Sequence, residues 1–240
     1  MTMIFSVSAF AASGFEFILN VHFGINFSIP NKAAKDFSLG IQAGGDVGVM
    51  AQLGYMISVK DGFGISVLGE LGYSWDIYSM GYGDTTVSGV GGSYIAKDGL
   101  DFIQYYHSFK IGLLPKFNIG LGGRHGLAIG IGGGVKIPVA GNQSLTVTIA
   151  GDTYPTSEDT KTQTDIALKI KDITDMFSPS VIGYMKVTFD YYLFFTDNIG
   201  MNFGLYLAGD FGPKLKDTKV KINDSFDIGL QLGFRFGPKA

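Results

Sequence analysis

Three histidines, one glycine-rich run and a scatter of charges are where this chain could do chemistry. His22, His107 and His125 fall in separate stretches, and no two of them have metal-ligand spacing. His107-Ser108 sets a histidine beside a hydroxyl, but neighbours on a strand point to opposite faces and form no base–nucleophile couple. The run Gly130-Ile131-Gly132-Gly133-Gly134-Val135-Lys136 has the glycines of a phosphate loop. It lacks the Gly-Lys-Ser/Thr ending and the helix that must follow. No catalytic residue, metal or cofactor is therefore expected.

The charges become informative once the period of the chain is seen. From Phe15 to Ile29 every odd position is apolar: Phe15, Phe17, Leu19, Val21, Phe23, Ile25, Phe27 and Ile29. The even positions are Glu16, Ile18, Asn20, His22, Gly24, Asn26 and Ser28. Side chains on a strand alternate faces with period two, so this is one long strand with an aromatic-rich face. A soluble sheet would show water Lys, Glu and Thr on its other face. Here that face is Gly, Asn and Ser, the pattern of a barrel whose exterior meets lipid and whose interior is polar.

The same parity runs through Phe37–Ile57, Phe63–Ile77, Ile103–Leu121, Leu127–Val139, Val181–Phe195, Ile199–Phe211 and Phe226–Phe236. These make eight strands, each long enough to cross a tilted bilayer. An open edge in hydrocarbon would leave backbone groups unsatisfied, so the sheet must close. The fold expected is all-β, a closed antiparallel up-and-down transmembrane β-barrel of eight strands. A ten-strand barrel is the alternative, using Leu145–Ile149 and Ile166–Ile170 as further strands.

The inward parity carries Glu70, Lys110, Lys116, Lys136, Lys186, Asp190, Asp210, Asp227 and Arg235. Both signs are present at comparable depths, and buried charges need partners. The expectation is one hydrogen-bonded charge network in the mid-lumen, with a proton or ion path as its functional alternative. Inward glycines such as Gly24, Gly112, Gly130, Gly132, Gly134 and Gly204 read as room for strong coiling, or else as a wet lumen.

On the outward parity, Phe63, Phe117, Phe195, Phe234 and Phe236 fall near one set of strand ends. Tyr73, Trp75, Tyr105 and Phe226 fall near the other. Twelve steps from Phe63 to Trp75, at about 3.3 Å each and about 40° tilt, span roughly 30 Å, the spacing of two interfacial aromatic girdles.

Composition agrees. The 240 residues include 36 Gly, 20 Phe and 12 Tyr, with only 16% charged, too few for a fully hydrated surface. A net charge of −3 offers no footprint for nucleic acid. The lack of cysteine excludes a disulfide scaffold and a thiolate metal site. Residues 1–11, apolar at Met3–Val7 and small-x-small at Ala9-Phe10-Ala11, read as the remnant of a secretory signal. Residues 12–240 read as a single barrel domain.

The connections alternate. Those at 58–62, 122–126 and 196–198 are tight and rich in Gly, Asp or Asn, whereas 30–36, 78–102, 140–180 and 212–225 are longer. Short turns at one end and long loops at the other are the asymmetry of outer-membrane barrels. The termini are then periplasmic and loops 78–102, 140–180 and 212–225 extracellular. The final Gln231-Leu232-Gly233-Phe234-Arg235-Phe236 resembles the assembly signal of such barrels, although Gly237-Pro238-Lys239-Ala240 follows where a terminal aromatic is usual.

On these features residues 12–237 resemble the small opacity-type or OmpW/OmpX-like outer-membrane proteins. The resemblance implies adhesion, surface protection, or passage of small apolar molecules. The expected partners are outer-membrane lipids, the barrel-assembly machinery and, through the loops, a host or extracellular ligand, the chain itself being a monomer. The function expected is a structural or surface-interaction role carried by the loops. A narrow conduit for hydrophobic molecules is its alternative, and an enzyme is not expected.

Overall fold

The computed structural model describes residues 13–31, 35, 40–82, 85–89, 92–96, 99–149, 160–218 and 221–240. The signal remnant at 1–11 lies outside them, as do 152–159 in the longest loop. In chain order the strands are β1 (Gly14–Ser28), β2 (Gly40–Ile41), β3 (Ala43–Lys60), β4 (Phe63–Tyr82), β5 (Thr85–Gly89), β6 (Gly92–Ala96), β7 (Gly99–Gly122), β8 (His125–Ile149) and β9 (Thr160–Lys169). A helix, α1 (Ile170–Met176), follows. The remaining strands are β10 (Phe177–Ser178), β11 (Ile182–Phe194), β12 (Ile199–Phe211), β13 (Lys214–Leu215) and β14 (Ser225–Phe236).

Every neighbour in the main sheet is antiparallel, in the order β11-β12-β14-β1-β3-β4-β7-β8, and β8 pairs back onto β11. The wall is a closed ring of eight. β2 and β9 add no staves: β2 continues the line of β3 against β4, and β9 that of β11 against β8. The ten-strand alternative is thus not taken. Leu145–Ile149 pairs with Thr160–Thr164 and Ile166–Lys169 with Ala140–Gln143, all within β8 and β9 and beyond the point where β11 joins.

The strands run deeper into the long connections than their polarity suggested, because cross-strand pairing stabilises Thr- and Gln-rich segments that period alone leaves ambiguous. β7 begins at Gly99, β8 continues to Ile149, and the hairpin β5–β6 occupies part of 78–102. One irregularity was invisible in the sequence. His107 faces Ala140 while Ser108 faces Pro138, so Val139 is an extra residue that reverses the parity of β8 above it. Proline there has no ladder N–H to lose, which suits a bulge.

The exterior follows the odd-position rule on β1, β3, β4, β7, β11 and β12, and the even one on β14. Phe15, Val67, Leu113, Met185 and Leu230 are each about half exposed or more. From Leu127 to Ile137 on β8 and Phe226 to Phe236 on β14, no outward position carries a charge. The apolar residues are outside and the polar ones inside. Only a hydrocarbon solvent makes that arrangement favourable, and the molecule is an outer-membrane-type β-barrel.

Candidate functional site

The lumen is built by the inward parity, and its contents stack in layers from the turn end to the loop end. At the turn end Arg235 on β14 pairs with Glu16 on β1 at 3.0 Å, donates to Asn118 at 3.0 Å, and lies 4.3 Å from the Tyr192 ring centroid. Asn118 also donates to Ser66 at 2.8 Å, and Ser66 donates to Glu16. Next, Lys116 donates to Asp190 at 2.8 Å, with both side chains fully buried, and Gln231 also donates to Asp190. Glu70 comes next, accepting from Lys186 at 2.6 Å, Gln52 at 2.8 Å and Tyr184 at 3.1 Å.

Above these, Asp46 lies 3.3 Å from His22 Nε2, 3.8 Å from Lys110 Nζ and 3.3 Å from the Tyr206 hydroxyl. Lys136 then donates to both Asp76 at 2.7 Å and Asp210 at 2.6 Å, and Tyr78 donates to Asp210 at 2.6 Å. Asp227 sits beside them, accepting from Ser225 at 2.7 Å. The nine inward charges singled out by parity thus all lie within the lumen, in successive layers. Glu16, Asp46 and Asp76 belong with them. Their even positions marked them as inward, but only the strand stagger reveals that they lie level with Arg235, Lys110 and Lys136.

The loop end is closed by an apolar cap. Ile173 of α1, Phe177 of β10 and Leu168 of β9 pack with Tyr78, Tyr106 and Ile182, and Met176, Leu215 and Ile222 lean on them. α1 begins where Asp172 accepts the Lys169 backbone N–H at 2.9 Å. β10 pairs with β13, tying the segment before β11 to the one after β12. The chain is thus strand to Lys169 and helix from Ile170.

Some of the inward glycines are seats for rings. Tyr184 faces Gly134, which faces Gly112, and a Cβ added at Gly112 would meet the tyrosine hydroxyl. Tyr206 faces Gly229, which faces Gly24, and a Cβ at either would strike the same ring. Each tyrosine lies across the two strands beside its own. A single-strand reading sees an absent side chain where the lumen holds a neighbour's phenol. A cavity of about 20 Å³ remains, lined by His22, three aspartates (Asp46, Asp210 and Asp227) and three lysines (Lys110, Lys136 and Lys186) among others, and takes one water-sized guest.

On the exterior, Tyr73, Trp75, Phe117, Phe195, Phe226, Phe234 and Phe236 are exposed, and Phe63 and Tyr105 half-buried. Trp75 stacks on Tyr105 with centroids 6.2 Å apart, and Tyr73 bonds His107 Nδ1. Near the turn end His125 pairs with the Tyr191 hydroxyl, and Phe17 stacks on Phe236 at 5.9 Å. Two of the three histidines thus occupy outer aromatic clusters. The third, His22, faces Asp46 inside a sealed lumen.

No protein-family model matches the chain, and no curated protein matches it. Among solved structures it is similar to Neisserial surface protein A, at 11% identity and a TM-score of 0.41 over 94% of this chain and 99% of that one. It is also similar to the outer membrane protease OmpT from Escherichia coli, at 9% identity and a TM-score of 0.37 over 94% and 96%. A third is Ail, the attachment invasion locus protein of Yersinia pestis in complex with the heparin analogue sucrose octasulfate, at 12% identity and a TM-score of 0.31 over 92% and 99%. Likeness this distant carries no argument about activity. The barrel assignment stands on the closed strand ring and its apolar exterior.

Proposed function

We propose that this chain is a monomeric, non-catalytic protein of the bacterial outer membrane, whose barrel is a closed scaffold and whose work is contact with extracellular molecules. In this reading the turn end and both termini are periplasmic and the loop end faces outward. The observation that supports it is the division of the molecule. The lumen is filled by paired charges and capped by Ile173 and Phe177, while β8 and β9 continue past the ring with Thr160 to Ala167 exposed. Loops held by a rigid scaffold commonly carry recognition. The Gln231–Phe236 end of β14 is the segment offered to the barrel-assembly machinery.

Planar-bilayer recording of the purified protein is the test. Conductance near the baseline is expected. Stable openings of nanosiemens size would overturn the closed-scaffold reading in favour of a channel.

A further inference from the structure

Charge does not balance in the half of the lumen nearer the loops. Three buried pairs elsewhere are one to one: Arg235 with Glu16, Lys116 with Asp190, and Lys186 with Glu70. What remains is Asp46, Asp76, Asp210 and Asp227 against Lys110 and Lys136, every one of them buried. Lys136 is shared by two carboxylates, and Lys110 reaches only Asp46, at 3.8 Å. Asp227, 1% exposed, has no cation within ion-pair distance among the described residues, and its Oδ2 has no hydrogen-bond partner. Oδ1 of Asp210 has none either. Both aspartates line the water-sized cavity.

A carboxylate buried in a membrane barrel without a counter-charge is costly, and such a group neutralises by taking up a proton. We propose that this cavity is a proton-binding site, holding one proton on the Asp210–Asp227 pair. The unfolded chain has released that proton well below neutral pH. The titratable and charged groups nearest Asp227 are Asp210 and Tyr206 from β12, Lys136 from β8 and Asp46 from β3, with Asp76 on β4, His22 on β1, Lys110 on β7 and Tyr184 and Lys186 on β11 further round the wall. Lys136 is already engaged twice, Lys110 reaches Asp46 and Lys186 serves Glu70, so none of the three is left for Asp227. A chelated divalent ion would cancel the same charge, but among the described residues no three His or carboxylate side chains converge on one point. Divalent hard cations need about six oxygen ligands.

Because the folded chain holds more protons than the unfolded one, its stability falls as pH rises. The test is to refold the full chain into detergent micelles and follow proton uptake with an indicator dye near pH 7. Thermal midpoints are then compared from about pH 6 to about pH 9 in sodium, potassium and choline chloride. The wild type is expected to take up about one proton per barrel and Asp227→Asn essentially none, with a midpoint that falls less steeply with pH in the variant. The three salts should give the same result. Asp190→Asn, which breaks a balanced pair, should lower the midpoint at every pH without reducing uptake. No proton uptake by the wild type would overturn the proposal. So would a midpoint raised by sodium or potassium over choline, which would place a metal cation in the cavity, or Asp227→Asn behaving as Asp190→Asn does. Should Asp227→Asn not fold, Asp210→Asn carries the same expectation, and the wild-type uptake decides by itself.

Discussion

A guanidinium and a few phenols decide how the lumen is filled. Arg235 serves Glu16, Asn118 and the Tyr192 face at once, a combination of fork and flat surface that an ammonium does not supply. Arg235→Met leaves Glu16 buried without a counter-charge and should cost about 3–5 kcal/mol in urea unfolding from lipid vesicles. Arg235→Lys should recover only part of this, and full recovery would show that charge alone matters there. Glycine is equally specific where a ring crosses it. Gly229→Ala must push Tyr206 off its seat and should cost about 1–3 kcal/mol by the same measurement. Silence at that position would mean the ring has another place to go.

At the scale of elements, each strand is a two-faced object whose faces obey different solvents. Val67 is 52% exposed on β4, while Ser66 beside it is buried between Glu16 and Asn118. Val67→Arg should destabilise by about 2–4 kcal/mol because the charge meets hydrocarbon near mid-membrane. A negligible effect in refolding experiments would reverse the face assignment. The β8–β9 hairpin stands outside this rule, with Lys161 exposed among Thr160, Thr162 and Thr164. Trypsin added to intact cells should nick at Lys161, the one basic residue of the polar 152–164 stretch, while the barrel survives, since cleavage concentrates at exposed loop tips. Resistance until the outer membrane is broken would invert the proposed orientation.

For the whole molecule, closure is the dominant fact. Every strand of the ring is paired on both sides, so unfolding cannot start at an edge, and the apolar exterior keeps the native state in detergent or lipid. The protein should therefore migrate differently on gels before and after boiling and should be extracted from membranes only by detergent. Identical migration in both conditions, or release by salt alone, would count against an integral barrel.

The period-two pattern by itself determined the class, the eight strands, the tight connections within 58–62 and 122–126, and which side of each strand meets lipid. That information is local: alternation needs no partner to be read. It also marked Glu70, Lys116 and Arg235 as inward. It did not determine that Tyr184 lies over Gly112, that Lys136 is shared by Asp76 and Asp210, or that Asp227 is left without a cation. Those facts depend on the stagger between neighbouring strands and on reach across two of them, which a bulge at Val139 or a shift between β2 and β3 alters without changing the alternation of any one strand. The cap formed by α1 and β10 belongs to the tertiary structure for the same reason, since Ile173 and Phe177 find their partners on β4, β7 and β11, far away in the chain.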